Sequence, residues 1–309
     1  MHFPLVCGRM VRVKRKGATR MYKTLSSYLK ARYGCRISKI CIDGGFGCPN
    51  RDGTVGHGGC IYCGERGAGE HIDALKGIEE QVDSQLARGK ADGYIAYFQN
   101  FTNTYAPISV LKERYTRALR SDKIVALAIG TRPDCITDEI AELISSFKDI
   151  VDVWVELGLQ CASDDTARTI NRGYKTEVYY RAAEILTSHG IPFVTHMIIG
   201  LPNEGEVEID ATVDAINKSG SWGVKIHSIY VMEGTRLCEM YRGGEYIPPT
   251  KEWYVEMCAR SLSRLREDIV VHRITGDCPR DMLVAPEWNT DKNGVINSIR
   301  ERYLEILGS

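Results

Sequence analysis

The sequence predicts an α/β protein: a partial (β/α)6 TIM-like barrel with a C-terminal strand–helix extension. Three observations carry the prediction. Short runs dense in Val and Ile recur six times, each followed by a stretch of helical spacing. Strands of that composition are covered on both faces. Units of this length join parallel strands by right-handed crossovers, and six of them fall short of the eight that close a full barrel.

Residues 1–20 read as extended or loose. Met21 to Tyr33 has helical spacing, with Leu25, Tyr28 and Leu29 on one side, and Gly34 is a good helix stop. Ser38 to Asp43 reads as the first strand, followed at once by a cysteine-rich loop. Ile78 to Arg88 is an amphipathic helix. Tyr94 to Phe98 is the second strand, leading into the polar-aromatic loop from Gln99 to Tyr105. Val110 to Arg120 reads as a helix, Ile124 to Ile129 as a strand and Asp138 to Phe147 as a helix. Asp152 to Leu159 is the fourth strand, ending at Gln160. Asp164 to Ile170 begins a helical stretch that Asn171-Arg172-Gly173 breaks and Glu177 to His189 resumes. Phe193 to Ile199 is a strand closing on Gly200-Leu201-Pro202, and Glu206 to Ser219 a helix. Val224 to Val231 is the sixth strand, ending at Glu233-Gly234-Thr235, and Lys251 to Arg266 the helix after it. Ile269 to Ile274 reads as a seventh strand and Val295 to Leu307 as a closing helix. The expected divisions are a basic segment (1–24), a core (25–266) and an extension (267–309).

The 309 residues suffice for one large domain with a sizeable core. Formal net charge is zero, so the whole molecule advertises no polyanion partner. The charge is unevenly spread. Residues 1–42 hold eleven Lys and Arg, and the first acidic residue is Asp43. Such an arm suits RNA or phosphate contact, and equally a solvated basic leader. No apolar run approaches the ~18 residues of a membrane span, and no signal-peptide core is present, so no membrane partner is expected. Eleven cysteines without secretion fit a reducing cytoplasm.

The chemistry concentrates between Cys41 and Glu70. Cys60 and Cys63 form a C-x2-C pair with Tyr62 just before the second thiol, and eleven residues separate Cys48 from Cys60. Three thiolates from one loop hold three irons of a [4Fe–4S] cube and leave the fourth iron open. A small molecule with an amine and a carboxylate chelates such an iron, as S-adenosylmethionine (SAM) does. The loop's glycines permit positive φ and close backbone approach to a compact cofactor. Zinc is the alternative, because C-x2-C pairs are common in zinc sites; it wants four ligands, and His57 is available as the fourth. A disulfide framework does not suit this chain.

Sites in barrels of this kind lie at the carboxyl ends of the strands. Glu156, inside the fourth strand, needs a partner: a ribose diol, the amine of SAM or a structural Arg. Gln160 ends that strand. Gly200 allows an adenine to approach the backbone, or simply makes a turn before Pro202. Arg172, at a helix break, either points into the barrel mouth to pair with a carboxylate or is a plain surface residue. Asp277, Arg280 and His272 are candidates for substrate contact or ordinary turn residues. Cys35, Cys41, Cys135, Cys161, Cys238, Cys258 and Cys278 read as structural thiols, or some of them as ligands of a second cluster.

Together these residues resemble the radical SAM superfamily, whose usual loop is C-x3-C-x2-C with an aromatic before the third cysteine. Here the first gap is eleven residues. The expanded form C-P-N-R-D-G-T…G-G-C-x-Y-C is similar to the YtqA/YhcC-type (MnmL-like) subfamily, related to the catalytic subunit of elongator. The likeness continues in the stretch from Phe98 to Tyr105, in Glu156-Leu157-Gly158-Leu159-Gln160, in Asn171-Arg172-Gly173-Tyr174, and from Gly276 to Trp288. It runs from about residue 21 to residue 304.

The resemblance implies a barrel of the radical SAM type and a [4Fe–4S] cluster on Cys48, Cys60 and Cys63. It implies SAM on the open iron, cleaved by one electron to methionine and a 5′-deoxyadenosyl radical that takes hydrogen from the substrate. Glu156, Gln160, Arg172 and Gly200 would surround SAM. The implied substrate is tRNA, at the C5 side chain of the wobble uridine, converted from carboxymethylaminomethyl toward aminomethyl in an mnm5U-type pathway. The implied partners are a one-electron donor such as flavodoxin or ferredoxin and an MnmM-type methyltransferase acting downstream. The basic arm fits tRNA phosphates, and Phe101, Tyr105 and Trp288 are available to stack on anticodon bases. The chain has no acetyltransferase-sized extension, so the full elongator reaction is not expected. The alternatives are a radical SAM enzyme on a small molecule and a non-catalytic metal- or RNA-binding protein.

Overall fold

Thr24 caps the first helix: its hydroxyl accepts a hydrogen bond from the Ser27 N–H, and Gly34 ends the helix at φ 72°. This helix is α1 (Leu25–Tyr33). The computed structural model describes residues 21–67, 72 and 75–308, so the first twenty residues of the basic segment lie outside it. After α1 come β1 (Ile37–Ile42), α2 (Ile78–Arg88), β2 (Gly93–Phe98), α3 (Ile108–Ala118) and β3 (Ile124–Thr131). The middle of the chain gives α4 (Asp138–Ser146), β4 (Asp152–Gln160), α5 (Asp164–Thr169), α6 (Thr176–Ser188), β5 (Phe193–Ile199) and α7 (Glu206–Lys218). The last third gives β6 (Gly223–Ser228), β7 (Val231–Met232), α8 (Arg236–Arg242), α9 (Lys251–Arg264), β8 (Val270–Arg273), β9 (Leu283–Ala285) and α10 (Lys292–Gly308).

Seven strands form one sheet in the order β1-β2-β3-β4-β5-β6-β8, parallel throughout and curled into a half-barrel. The run expected as one strand from Val224 to Val231 is divided. β6 stops at Ser228, whose hydroxyl donates to Asn289 Oδ1 at 2.6 Å and accepts from the Gly276 N–H at 2.8 Å. The chain then leaves the sheet, and β7 pairs antiparallel with β9. Helix α8 was not expected; Thr235 caps it by accepting from the Cys238 N–H.

Period-two alternation sorts the inner face into layers. Trp154 of β4 joins Ile95, Tyr97, Ala126, Ala128 and Val194 in an apolar plug with Leu25 and Leu29 of α1. Helix α1 thus stoppers the amino-terminal end of the half-barrel. Arg32 fastens it there through two hydrogen bonds to Asp152, at 3.0 and 2.8 Å. The alternate residues Val153, Val155, Leu157 and Leu159 face the helices in the main core, where burying one such side chain is worth about 1.5–3 kcal/mol. The bottom is plugged and the outside covered, so the carboxyl ends of the strands are the face left open. No helix among the described residues is long and apolar enough to cross a membrane.

Candidate active site

At that open face lies a cavity of about 410 Å³. Cys48, Cys60 and Cys63 line it together with Tyr62 and Arg51 of the same loop. Phe101 and Thr102 come from the loop after β2, and Gly130, Thr131 and Arg132 from the end of β3. Glu156, Gly158 and Gln160 come from β4, His196 from β5, Lys225 and His227 from β6, and Arg273 from β8.

The cysteine loop is held from two sides. Asn50 Nδ2 donates to the Asn171 carbonyl at 2.6 Å, and Asn171 Nδ2 donates back to the Gly59 carbonyl at 2.8 Å and the His57 carbonyl at 3.1 Å. Arg51 donates to the Cys63 carbonyl at 3.2 Å and lies 5.4 Å from the Phe101 ring centroid. The Thr102 N–H donates to the Gly47 carbonyl at 3.1 Å, and Asn100 Nδ2 to Asp43 at 2.7 Å, which ties the loop to the segment after β2. Asn171 itself sits at φ 54°, in the left-handed region that Asn tolerates better than most residues.

The thiols are electrostatically distinct. A hydrogen bond from Cys63, aided by Arg132, pulls the Cys60 thiol down to about 6 against the opposing effect of burial. The same bond and burial hold Cys63 well above the usual thiol range. Asn50 Nδ2 also lies 3.8 Å from the Cys60 sulfur. Among the described residues no three His, Cys, Asp or Glu side chains converge as one metal ion requires. His57, the fourth ligand that a zinc site would recruit, packs beside Gly53 and does not line the cavity. Two buried polar atoms on residues of the cavity wall, Thr102 Oγ1 and His227 Nε2, lack a protein partner. Three thiols on one cavity wall, the wall glycines Gly59, Gly67, Gly130 and Gly158, and these polar atoms fit an iron–sulfur cluster with a polar small molecule beside it.

Below the thiols lies an ionic layer. Glu156 is fully buried, and Lys225 donates to its Oε2. His196 Nε2 lies 2.8 Å from the same oxygen, Trp154 Nε1 3.3 Å from Oε1, and Lys39 3.7 Å from Oε1. Burial opposes the Glu156 charge, yet Lys225 and Lys39 hold the carboxyl well below its usual range. Burial pushes the Lys225 ammonium down to about 7 despite Glu156. Burial and Lys225 push His196 down to about 4, so at neutral pH the ring is uncharged and its Nε2–H donates to the carboxylate.

The structure therefore answers the question of Glu156 with a lysine and a histidine rather than an arginine. Gln160, at φ 60°, lines the cavity as expected of a strand end. Two expected site residues do not line it. Arg172 is fully buried and turned inward: Nη1 donates to the Leu159 and Cys161 carbonyls, each at 2.6 Å, and Nε to the Tyr174 carbonyl at 3.0 Å. Carbonyls left at the end of β4 claim its donors; its carboxylate neighbour, Asp164, is 3.6 Å away. Gly200, at φ 97°, is held by packing: a Cβ there would lie 2.7 Å from Pro249 Cγ and 2.8 Å from Ile229 Cγ2.

Of the other candidates, Asp277 lines the cavity, while Arg280 borders a separate groove with Lys292. His272 is buried, 3.9 Å from Glu156. Phe101 reaches the cavity; Tyr105 bonds Thr54 outside it, and Trp288 stacks on Tyr254 at 5.2 Å. Cys41, read as structural, also lines the cavity. Lys39, Lys225, His227 and Arg273 were not singled out from the sequence. The available signal was a Lys and a His two apart within the apolar run Val224-Lys225-Ile226-His227, one face of a strand.

Residues 45–216 match the Radical SAM superfamily model, and residues 221–305 match the Radical_SAM C-terminal domain. The chain belongs to the radical SAM superfamily, whose members use a [4Fe–4S] cluster and SAM. Within it, the chain is 37% identical over 293 residues to the protein YtqA of Bacillus subtilis, covering 93% of this chain and 91% of that one. It is 29% identical over 191 residues to the tRNA uridine(34) acetyltransferase of Methanocaldococcus infernus, covering 60% of this chain and 34% of that one. Its structure resembles the archaeal Methanocaldococcus infernus Elp3 with an N-terminal deletion: TM-score 0.64 and 18% identity, over 87% of this chain and 63% of that one. At that identity the likeness is one of fold.

Proposed function

We propose that this radical SAM enzyme modifies tRNA at the C5 side chain of the wobble uridine, taking carboxymethylaminomethyl toward aminomethyl. The observation that carries the reading is the alignment of 60% of the chain, at 29% identity, with a relative named for uridine 34 of tRNA. The fold likeness to Elp3 supports it.

In this reading Cys48, Cys60 and Cys63 hold the cluster, and Gln160 lies beside the SAM that completes it. When bound, the two together supply a carbon-centred radical that takes hydrogen from the substrate. The chain's own residues do the rest. Asn50, Asn171 and Arg51 fix the thiol loop, and Phe101 offers a face on which a flipped base stacks. The plug under Trp154 closes the floor to water. Lys and Arg of residues 1–42 meet tRNA phosphates, although residues 1–20 lie outside the described structure. A flavodoxin or ferredoxin of the cytoplasm provides the electron, and an MnmM-type methyltransferase uses the aminomethyl product.

The test is 5′-deoxyadenosine release by anaerobically reconstituted, reduced protein, with and without bulk tRNA from cells lacking the gene. Release that rises with this tRNA but not with fully modified tRNA is the expected result. Release indifferent to tRNA would remove the tRNA assignment and leave the radical chemistry standing.

A further inference from the structure

The cavity floor gathers basic side chains from several strands. Lys225 is in register with His196 of β5 on one side and with Arg273 of β8 on the other, so the three residues form a row across the inner face. Lys39 of β1 faces the same space: its ammonium lies 4.8 Å from the Tyr97 ring centroid, and that of Lys225 lies 4.3 Å from the same ring. Lys225 and Lys39 thus flank one buried carboxylate, Glu156, which already accepts from Lys225 and His196, and Arg273 adds a third basic side chain to the row.

Lys39 stays 3.7 Å from Glu156, and Arg273 stays 3.7 Å from Asp277, beyond hydrogen-bond length. Asp277, at the rim, is shared with Lys292. The side chains of Lys39 and Arg273 remain 25% and 40% exposed. The partnerless Nε2 of His227 belongs to the same wall. Clustered cations with unfilled donors call for an anion to complete them.

We infer that Lys39 and Arg273 form the docking point for a carboxylate of the substrate on the cavity floor. Lys39 and Lys225 stand three residues before the ends of β1 and β6, roughly 10 Å down the strand. The thiol loop begins beyond the end of β1, so the two sites occupy different levels. A carboxylate on a thin aliphatic arm reaches that depth. A phosphodiester, flanked by two sugars, does not. The inference rests on the proposed function, in which the uridine side chain ends in such an arm, and it assigns the residues that read it. SAM is the other source of a carboxylate, and the test separates the two.

N-methylglycine, which reproduces the end of the arm, and dimethylamine, which lacks the carboxylate, are titrated calorimetrically into the reconstituted protein with SAM saturating. N-methylglycine is expected to bind with a Kd on the order of millimolar, and dimethylamine not to bind. Lys39→Gln and Arg273→Gln are each expected to weaken the binding by about tenfold, and Lys39→Arg to restore most of it. Equal binding of the two ligands, no binding of either, or folded variants that bind like the parent would overturn the docking point. Binding seen only when SAM is left out would give the carboxylate to SAM and overturn the substrate assignment. The tRNA dependence of 5′-deoxyadenosine release is read in parallel. N-methylglycine binding without a tRNA response keeps the docking point and removes tRNA; a tRNA response without N-methylglycine binding does the reverse.

Discussion

Arg132 and Arg172 both stand over the ring of Tyr174, 4.7 and 4.6 Å from its centroid, and Arg132 Nη1 donates to the Arg172 carbonyl at 2.9 Å. The contact joins the end of β3 to the break after α5. That break carries Asn171, which grips the thiol loop. The conspicuous charges of this region build the loop's support, Arg172 from behind the cavity wall and Arg132 from the wall itself.

Replacing Arg172 with Lys should therefore act on stability. A lysine cannot satisfy the Leu159, Cys161 and Tyr174 carbonyls from one rigid fork, and the expected loss is about 2–4 kcal/mol. Urea denaturation measures it; an unchanged midpoint with an unchanged slope would contradict the assignment.

The thiols should divide sharply. Cys48→Ala, Cys60→Ala and Cys63→Ala are each expected to lose the brown absorbance near ~400 nm and all SAM cleavage, with far-UV circular dichroism unchanged. Cys41→Ala, on the same cavity wall, should keep the cluster. A cluster that survives loss of Cys48 would exclude that residue as a ligand.

Gly200→Ala should destabilise through backbone and packing together. The residue sits at φ 97°, and the new methyl meets Pro249 and Ile229 below 3 Å. The expected cost is about 2–4 kcal/mol, from positive φ plus overpacking. Thermal denaturation of the parent and variant gives the value, and a shift within error would show that the turn relaxes freely.

Glu204 sets a pH dependence. Burial raises its carboxyl to about 8, although the Gly200 and Leu201 N–H groups donate to it at 2.9 and 3.2 Å. The folded state thus holds this proton more tightly than the unfolded chain, whose ordinary value is 4.5. The contribution is whole below that value and is lost as pH rises through about 8. Glu204→Gln keeps an acceptor and removes the titration. Melts at about pH 5 and about pH 8.5 should show the parent losing stability relative to the variant. Parallel behaviour at both pH values would mean that Glu204 is already charged in the folded protein.

Lys225→Met should strand Glu156 in the barrel and cost about 3–5 kcal/mol at neutral pH. Adding Glu156→Gln should recover part of that loss, because the uncompensated charge is gone. A double variant no more stable than the single one would show that His196 and Lys39 already compensate Glu156.

The strand–helix plan was legible because it is written in local periodicity. β5 spans Phe193–Ile199, as its Val- and Ile-rich run suggested, and the sheet order follows from short parallel connections. Cys48, Cys60 and Cys63 stood out because three thiols share one loop, and the structure brings all three to one cavity. Three-dimensional neighbours decided the rest. β6 ends at Ser228 because Asn289 and Gly276, far along the chain, claim its hydroxyl. Arg172 turned away from the cavity because the carbonyls of Leu159 and Cys161 lie within reach of its guanidinium. Lys39 and Lys225 are single cations in separate apolar strands. Alternation places each on a face, but only the curl of the sheet brings both to one carboxylate, since a charge's partner across a barrel leaves no mark on its own strand's pattern.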